Sequence, residues 1–297
     1  MSPEAAIAVL GASGLVGSAL TRLWATRDDL VAPWHAELDV LNPDDLRNFI
    51  AHTAAESIVN AIGWADVDAA EAQAGDRSGR VYGLNVEYPR QLAELCQAQG
   101  KYLLHVSTDY VFDGTKSDAP YAEDDTTGAL CWYAETKLRG EQAVLGENPK
   151  ACVARIEMPF TGKPHHKSDL ARTLSARLRQ NLPIQGVTDQ RITPLFLDDG
   201  AAALRTLVEA RHAGVIHIAA SDWTTPYEFA QGIATRLGLP TEHIHPATFE
   251  QFSKTRQARR PQHSWLDVSR FTDLYGRRIL KSVKDELDAW VAQCPSK

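Results

Sequence analysis

Cysteine is scarce in this chain. Four occur in 297 residues (Cys96, Cys131, Cys152 and Cys294), and no two form a CxxC pair. That argues against a disulfide framework and against cysteine-based metal or redox motifs, and it fits a reducing compartment. Long apolar runs are missing as well. The stretch Ala5–Leu10 has no basic segment before it and is too short for a signal core or a membrane span, so the expected location is the cytoplasm, with no membrane partner. There is no excess of positive charge. With 31 Lys and Arg against 38 Asp and Glu, the formal net charge is −7, and no nucleic-acid partner is expected. Internal repeats and low-complexity tracts are also absent. What remains is a chain with 44% hydrophobic and 23% charged residues, long enough to enclose a cofactor in a core without cross-links.

Apolar runs of strand length alternate with stretches of helical period. Strands are expected at Ala5–Leu10, Leu30–Trp34, Ser57–Ala61, Tyr102–Ser107 and Ala151–Ile156. Between them, helices are expected at Leu15–Ala25, from Asn42-Pro43 to about Ala51, at Val86–Gln99 before Gly100, and at Tyr133–Leu145. Strands joined by helices of this length need crossovers, which build a parallel sheet wound on both faces. The fold class read from this is α/β, a doubly wound Rossmann-type sheet with a smaller C-terminal substrate lobe. Residues 1–156 would carry the dinucleotide and 157–297 mainly the substrate, with elements near 192–222 returning to the sheet. In the second half the pattern predicts helices at Ser168–Asn181, Asp199–Ala210, Tyr227–Leu237 and Val283–Val291. It also predicts a short extended piece at Leu195–Leu197 and a strand at Val215–Ala219.

The first strand runs into Gly11-Ala12-Ser13-Gly14-Leu15-Val16-Gly17, spaced GxxGxxG, with a helix following. In a dinucleotide site the first glycine permits the tight turn. The second lets the backbone approach a pyrophosphate, and the third lets the helix pack on the strand. Amides at the helix start then face the phosphates. The same pattern also serves as a packing turn in α/β proteins without a cofactor. The second strand carries no terminal acid to hold a ribose hydroxyl. His35 is a candidate for a 2′-phosphate or a plain surface residue, and Asp39 a candidate for adenine or a turn residue. The balance leans to NADP(H) over NAD(H).

Tyr133 and Lys137 are spaced YxxxK in a helix and so share one face, a turn apart. A ketone reductase must deliver a proton to the forming alkoxide, and a nearby ammonium brings a phenol toward the working range. Ser107 or Thr108, at the end of the fourth strand, would polarise the carbonyl. Asn85 is either a further polar member of the site or an N-cap. Trp64 would wall the cleft or serve packing. The run Arg256–Arg260 offers charge-assisted bonds to a pyrophosphate, with a solvated surface as the alternative for Arg256 and Arg259. His165-His166 lacks a third metal partner at useful spacing and reads as a loop, a candidate lid.

Three segments together resemble extended short-chain dehydrogenases: the glycine loop, Ser107-Thr108-Asp109-Tyr110-Val111-Phe112-Asp113-Gly114, and Tyr133-Ala134-Glu135-Thr136-Lys137. The resemblance is to the dTDP-4-dehydrorhamnose reductase family. It extends through Asn60-Ala61, Asp66–Glu71 and Arg260-Pro261-Gln262-His263-Ser264-Trp265-Leu266-Asp267. It implies Thr108, Tyr133 and Lys137 as the catalytic trio. It places Gly11, Ser13, Gly14, Leu15, Asp39, Ala61 and Ile62 along the dinucleotide. Asp109, Tyr110 and Val111 would open the loop toward the sugar, with Arg260 on the nucleotide-sugar side. A turn of the family is also matched by Asp189-Gln190 and Thr193-Pro194. The implied reaction is reduction of dTDP-6-deoxy-L-lyxo-4-hexulose to dTDP-L-rhamnose by NAD(P)H, in dTDP-rhamnose biosynthesis.

The chain departs from the family pattern in places. Ala65 and Ala69 stand where threonine and lysine are usual. Glu157 brings a carboxylate near the site expected to take a phosphorylated sugar. Ala19 replaces the glutamate of metal-linked dimers, so no metal site is expected, and a homodimer without metal is compatible with the sequence. Two other readings stand beside the reductase. One is a non-catalytic cofactor-binding subunit resembling the regulatory subunit of methionine adenosyltransferase. The other is a nucleotide-sugar epimerase or dehydratase.

Overall fold

A computed structural model describes residues 6–294; Ala5, the expected first residue of the opening strand, lies outside the described residues. The described residues form eight strands: β1 (Ile7–Leu10), β2 (Leu30–Val31), β3 (Ser57–Asn60), β4 (Tyr102–Thr108), β5 (Cys152–Ile156), β6 (Ile184–Val187), β7 (Gly214–Ile218) and β8 (Ile244–Ala247). Six of them form one parallel sheet in the order β2-β1-β3-β4-β5-β7, and β6 and β8 pair in a small second sheet. β1, β3 and β5 are buried along their whole length, as expected for strands covered by helices on both faces.

One face packs against helices Leu15–Leu23 and Leu197–Ala210, with Leu20, Leu104, Leu204 and Phe271 in that core. The other packs against Pro43–His52 and Tyr88–Ala98 through Leu46, Ile50, Tyr88 and Leu92. The helix at Pro43 starts as its sequence dictates. Asn42 accepts the N–H groups of Asp44 and Asp45, and Pro43, which lacks an N–H, occupies the first turn. A separate core of Phe160, Leu178, Phe229, Leu287 and Trp290 holds the second lobe. β7 crosses back to pair with β5, so the chain leaves the main sheet after β5 and rejoins it.

Several boundaries differ from expectation. β2 stops at Val31, because Pro33 cannot donate to a ladder. Helical turns begin at Arg80, well before Val86, and pass through a π-turn at Gly83–Glu87. Pro89 cannot bond the Asn85 carbonyl four residues back. That carbonyl instead faces Gly140, where an added Cβ would lie 2.1 Å from it. Leu197 belongs to the helix Leu197–Ala210 rather than to an extended piece. β6 and β8 had no sequence signature, since Gly186 and Pro246 interrupt their apolar patterns.

Candidate active site

The C-terminal ends of β1, β3, β4 and β5 open onto two adjoining cavities, of about 370 Å3 and about 240 Å3. Gly11 (φ +90°) makes the turn after β1, and a Cβ there would come within 2.9 Å of the Ala61 carbonyl carbon. Gly17 abuts the turn, its would-be Cβ 2.1 Å from the Gly11 carbonyl oxygen. This is why it packs the helix on the strand and lines neither cavity. Gly11, Ser13, His35 and Asp39 line the smaller cavity, and Leu15 lines the larger. Gly14, Ala61 and Ile62 line both. Gly63, missed in the sequence, also lines both; a Cβ there would come within 3.1 Å of Asn85 Oδ1 and 3.8 Å of Lys137 Nζ. Trp34 and Arg80, also missed, line the smaller cavity too. The continuous cleft and its glycine-lined floor fit an extended dinucleotide.

The larger cavity holds Trp64, Thr108, Asp109, Tyr110, Tyr133 and Lys137. Helix Trp132–Glu147 places Tyr133 and Lys137 a turn apart. The Thr108 hydroxyl stands close enough to the Tyr133 phenol to lower its pKa, and it donates to Asp109 Oδ1 at 2.9 Å. Burial holds the phenol above its ordinary pKa. The nearby Thr108 hydroxyl pulls it back and the Asp109 carboxylate pushes it further up. Among the described residues no hydrogen bond joins Lys137 to the phenol. Its Nζ donates to the Val106 carbonyl at 2.9 Å and lies 3.5 Å from His105 Nε2. Burial brings Lys137 down to about 8, with Glu141 opposing.

Hydrogen-bond accounting behind Lys137 determines a tautomer. Asn60 Oδ1 accepts from Ile62 N–H (3.0 Å) and from the Tyr88 hydroxyl (3.1 Å), so the Asn60 amide nitrogen faces His105 Nδ1 at 3.0 Å. Nδ1 therefore accepts, and the proton of the neutral ring sits on Nε2, facing Lys137. Burial, then the Lys137 charge, hold His105 well below its ordinary pKa. An N–H aimed at an amine favours the uncharged amine, in the same direction as the burial of Lys137. The signal for His105 was a histidine inside an otherwise apolar strand.

Residues 5–294 match the family described as RmlD substrate binding domain. The chain is 31% identical to dTDP-4-dehydrorhamnose reductase of Mycolicibacterium smegmatis, over 89% of this chain and 78% of that protein. It is 34% identical to a probable dTDP-4,6-dihydroxy-2-methyloxan-3-one 4-ketoreductase of Streptomyces antibioticus, over 89% and 87%. The crystal structure of a dTDP-4-dehydrorhamnose reductase from Clostridium acetobutylicum superposes with a TM-score of 0.87 at 25% identity, covering 96% of this chain and 98% of that one. The chain belongs to the dTDP-4-dehydrorhamnose reductase family of extended short-chain dehydrogenases.

Against this family frame, several expected site residues sit elsewhere. Ser107 borders the cavity, but its hydroxyl donates to Glu141 Oε1 at 2.5 Å, which leaves Thr108 as the hydroxyl beside Tyr133. Asn85 is not an N-cap and lines neither cavity. Buried in the π-turn, it bonds Trp64 N–H (2.8 Å), the Trp64 carbonyl (3.3 Å) and Thr136 Oγ1 (3.0 Å), bracing the wall behind Gly63. Val111 turns away from the cleft into the hydrophobic core, because the short helix Asp109–Val111 rotates it toward Phe112 and Tyr121. Glu157 is fully buried and also outside the cleft. It accepts from Thr193 N–H (2.7 Å), Thr193 Oγ1 (2.5 Å) and Ser264 Oγ (2.5 Å).

Met158 and Pro159 line the cavity beside it, the former at φ +39°, a backbone conformation that re-aims the chain after β5. Arg260 stands behind the cavity wall, donating to Asp68 Oδ2 (2.7 Å) and to the Tyr110 hydroxyl (3.2 Å). Arg256 lies over the Phe252 ring.

Proposed function

We propose that this chain is an NAD(P)H-dependent reductase of a nucleotide-linked 4-keto-6-deoxy sugar, related to dTDP-4-dehydrorhamnose reductase. The observation that carries this reading is that Thr108, Tyr133 and Lys137 line one cavity, which runs on into the glycine-loop cavity. When bound, the reduced nicotinamide supplies hydride. The chain's residues do the rest. Gly11, Ser13, Gly14 and Leu15 offer backbone along the dinucleotide, and Thr108 orients the carbonyl oxygen. Tyr133 gives its proton to that oxygen as the carbon gains hydride, so the ketone becomes an alcohol. A phenol held above its ordinary pKa is present in the protonated form this step needs. Asp109, Tyr110 and Trp64 face the substrate side of the same cavity.

NADP(H) is favoured over NAD(H) because His35 and Arg80 both border the adenosine-side cavity, where a 2′-phosphate would need cations. Asp39 in that cavity accepts from Leu41 N–H at 3.0 Å and is engaged in its own turn. In this reading residues 1–156 with the returning β7 hold the cofactor, and the second lobe closes on the sugar nucleotide. Among the described residues no helix is long and apolar enough to cross a membrane. A cytoplasmic place and a metal-free homodimer belong to the same proposal, supported by the sparse cysteine and by Ala19.

A non-catalytic role is the second reading. It is motivated by 30% identity to methionine adenosyltransferase 2 subunit beta of Bos taurus, over 92% of this chain and 83% of that one. The complete Thr108, Tyr133 and Lys137 set favours the enzyme. A panel of nucleotide keto-sugars with NADPH and NADH, followed at the nicotinamide absorbance, separates the two. Turnover that Tyr133→Phe lowers about a thousandfold, with cofactor affinity kept within threefold, is the expected result. Binding of cofactor without turnover on any keto-sugar favours the regulatory reading.

A further inference from the structure

The glycine loop carries no charged side chain from Gly11 to Gly17, so a dinucleotide lying on it would meet amides and the Ser13 hydroxyl but no cation from the loop. A cation from the other lobe stands near it. Lys167 lines both cavities, together with Gly14, Ala61, Ile62 and Gly63, and therefore stands where the two meet, above the glycine loop. Its ammonium makes no ion pair or hydrogen bond among the described residues, and it is solvent-exposed.

The segment that carries Lys167 has no regular secondary structure, yet it is firmly held. Arg172 donates to three of its carbonyls: Lys163 (2.7 Å), His165 (2.7 Å) and Lys167 (2.9 Å). Asp169 caps the helix Leu170–Arg179 through Arg172 N–H, and Lys163 pairs with Asp198 at 2.8 Å. Within the loop, Lys167 N–H donates to His165 Nδ1 at 3.0 Å, and the Ser13 backbone contacts the His165 imidazole in the direction that raises its pKa, as an accepting carbonyl does. The second lobe thus already touches the glycine loop of the first.

We propose that Lys167, held over the junction of the two cavities by Arg172, is the cationic ligand of the dinucleotide's pyrophosphate, so that the second lobe takes part in holding the cofactor. This rests on the cofactor reading above. A lysine serves here as a point charge reaching a dianion already cradled by amides. Arg172 is a positioning residue, acting only through the loop carbonyls.

The test is the dissociation constant of NADPH, NADH and ADP-ribose, measured by fluorescence or calorimetry on the full chain. Lys167→Met should weaken all three by about tenfold and equally, since all three share the pyrophosphate. Lys167→Arg should stay within threefold of the parent. Arg172→Met should weaken binding in the same way, and should add little when combined with Lys167→Met. Thermal melting checks that the variants are folded. Equal affinity of Lys167→Met and the parent for all three ligands would overturn the proposal. So would a loss confined to NADPH, which would make Lys167 a 2′-phosphate ligand. If the parent chain binds none of the three, the cofactor reading fails with it; if the parent binds and Lys167→Met matches it, only the lysine's role fails.

Discussion

Two carboxylates lie buried on either side of the end of β4, and they are held in opposite ways. Glu141 meets a cation. Arg155 reaches it with Nη2 at 2.7 Å and Nε at 3.0 Å, and the Ser107 hydroxyl completes its shell, with both charged side chains 5% exposed or less. Glu157 meets only hydroxyls and one amide, from Thr193 and Ser264, while Asp109 is a second buried acid close enough for each to feel the other's charge. Burial lifts Glu157 to about 7, and burial followed by the Glu157 charge lifts Asp109 well above the usual carboxylate range. A charge in a dry interior is kept either by an opposite charge or by a proton. The first arrangement is structural glue behind the sheet. The second places a protonatable pair one residue from the Thr108 hydroxyl.

Removing the cation should expose this difference most. Arg155→Met leaves Glu141 buried without its partner, and also strips contacts to the Phe112 ring, the Glu123 carbonyl and His217. A loss of about 3–5 kcal/mol is expected, read as a drop in the denaturant midpoint. A midpoint within the error of the parent would show that Glu141 is compensated in another way.

Glu157 gives a smaller and opposite signal. Its folded pKa of about 7 lies above the ordinary 4.5, so between those values the unfolded chain releases a proton that the folded chain keeps. Stability should therefore fall as pH rises from about 4.5 to 7, by about 3 kcal/mol, and level off above. Glu157→Gln should flatten that fall in urea titrations run across the same range; an unchanged slope would mean that Glu157 ionises inside the fold.

The smallest effect is expected at His105. His105→Leu removes the N–H that faces Lys137 while keeping the site dry. The Lys137 ionisation near 8 should move to higher pH by less than about one pH unit, read from the alkaline limb of the turnover profile. A shift to lower pH would reverse the assigned tautomer.

The features that could be read along the chain are those whose physics is local. Gly11, Gly14 and Gly17 report a turn and a close contact within seven residues. Tyr133 and Lys137 report one helical turn, and Asn42-Pro43 reports a cap. The misplaced residues depend on contacts distant in sequence. Val111 and Asp109 belong to one short helix, yet they part company because the core behind Phe112 takes one and the cleft takes the other. Glu157 was placed by proximity to β5, but its bonds go to Thr193 and Ser264, far along the chain. Asn85 had the right chemistry for a cap, but Pro89 forced a π-turn around it.

The sequence alone determined the alternating strands and helices, the glycine turn and the spacing of the phenol and the amine, because backbone sterics and helical period act over a few residues. Only the tertiary structure decided which hydroxyl meets Tyr133, which carboxylate receives an arginine and which lysine overhangs the glycine loop. Those outcomes depend on burial and on partners tens of residues away, and a linear pattern does not encode them until the sheet has brought the strand ends together.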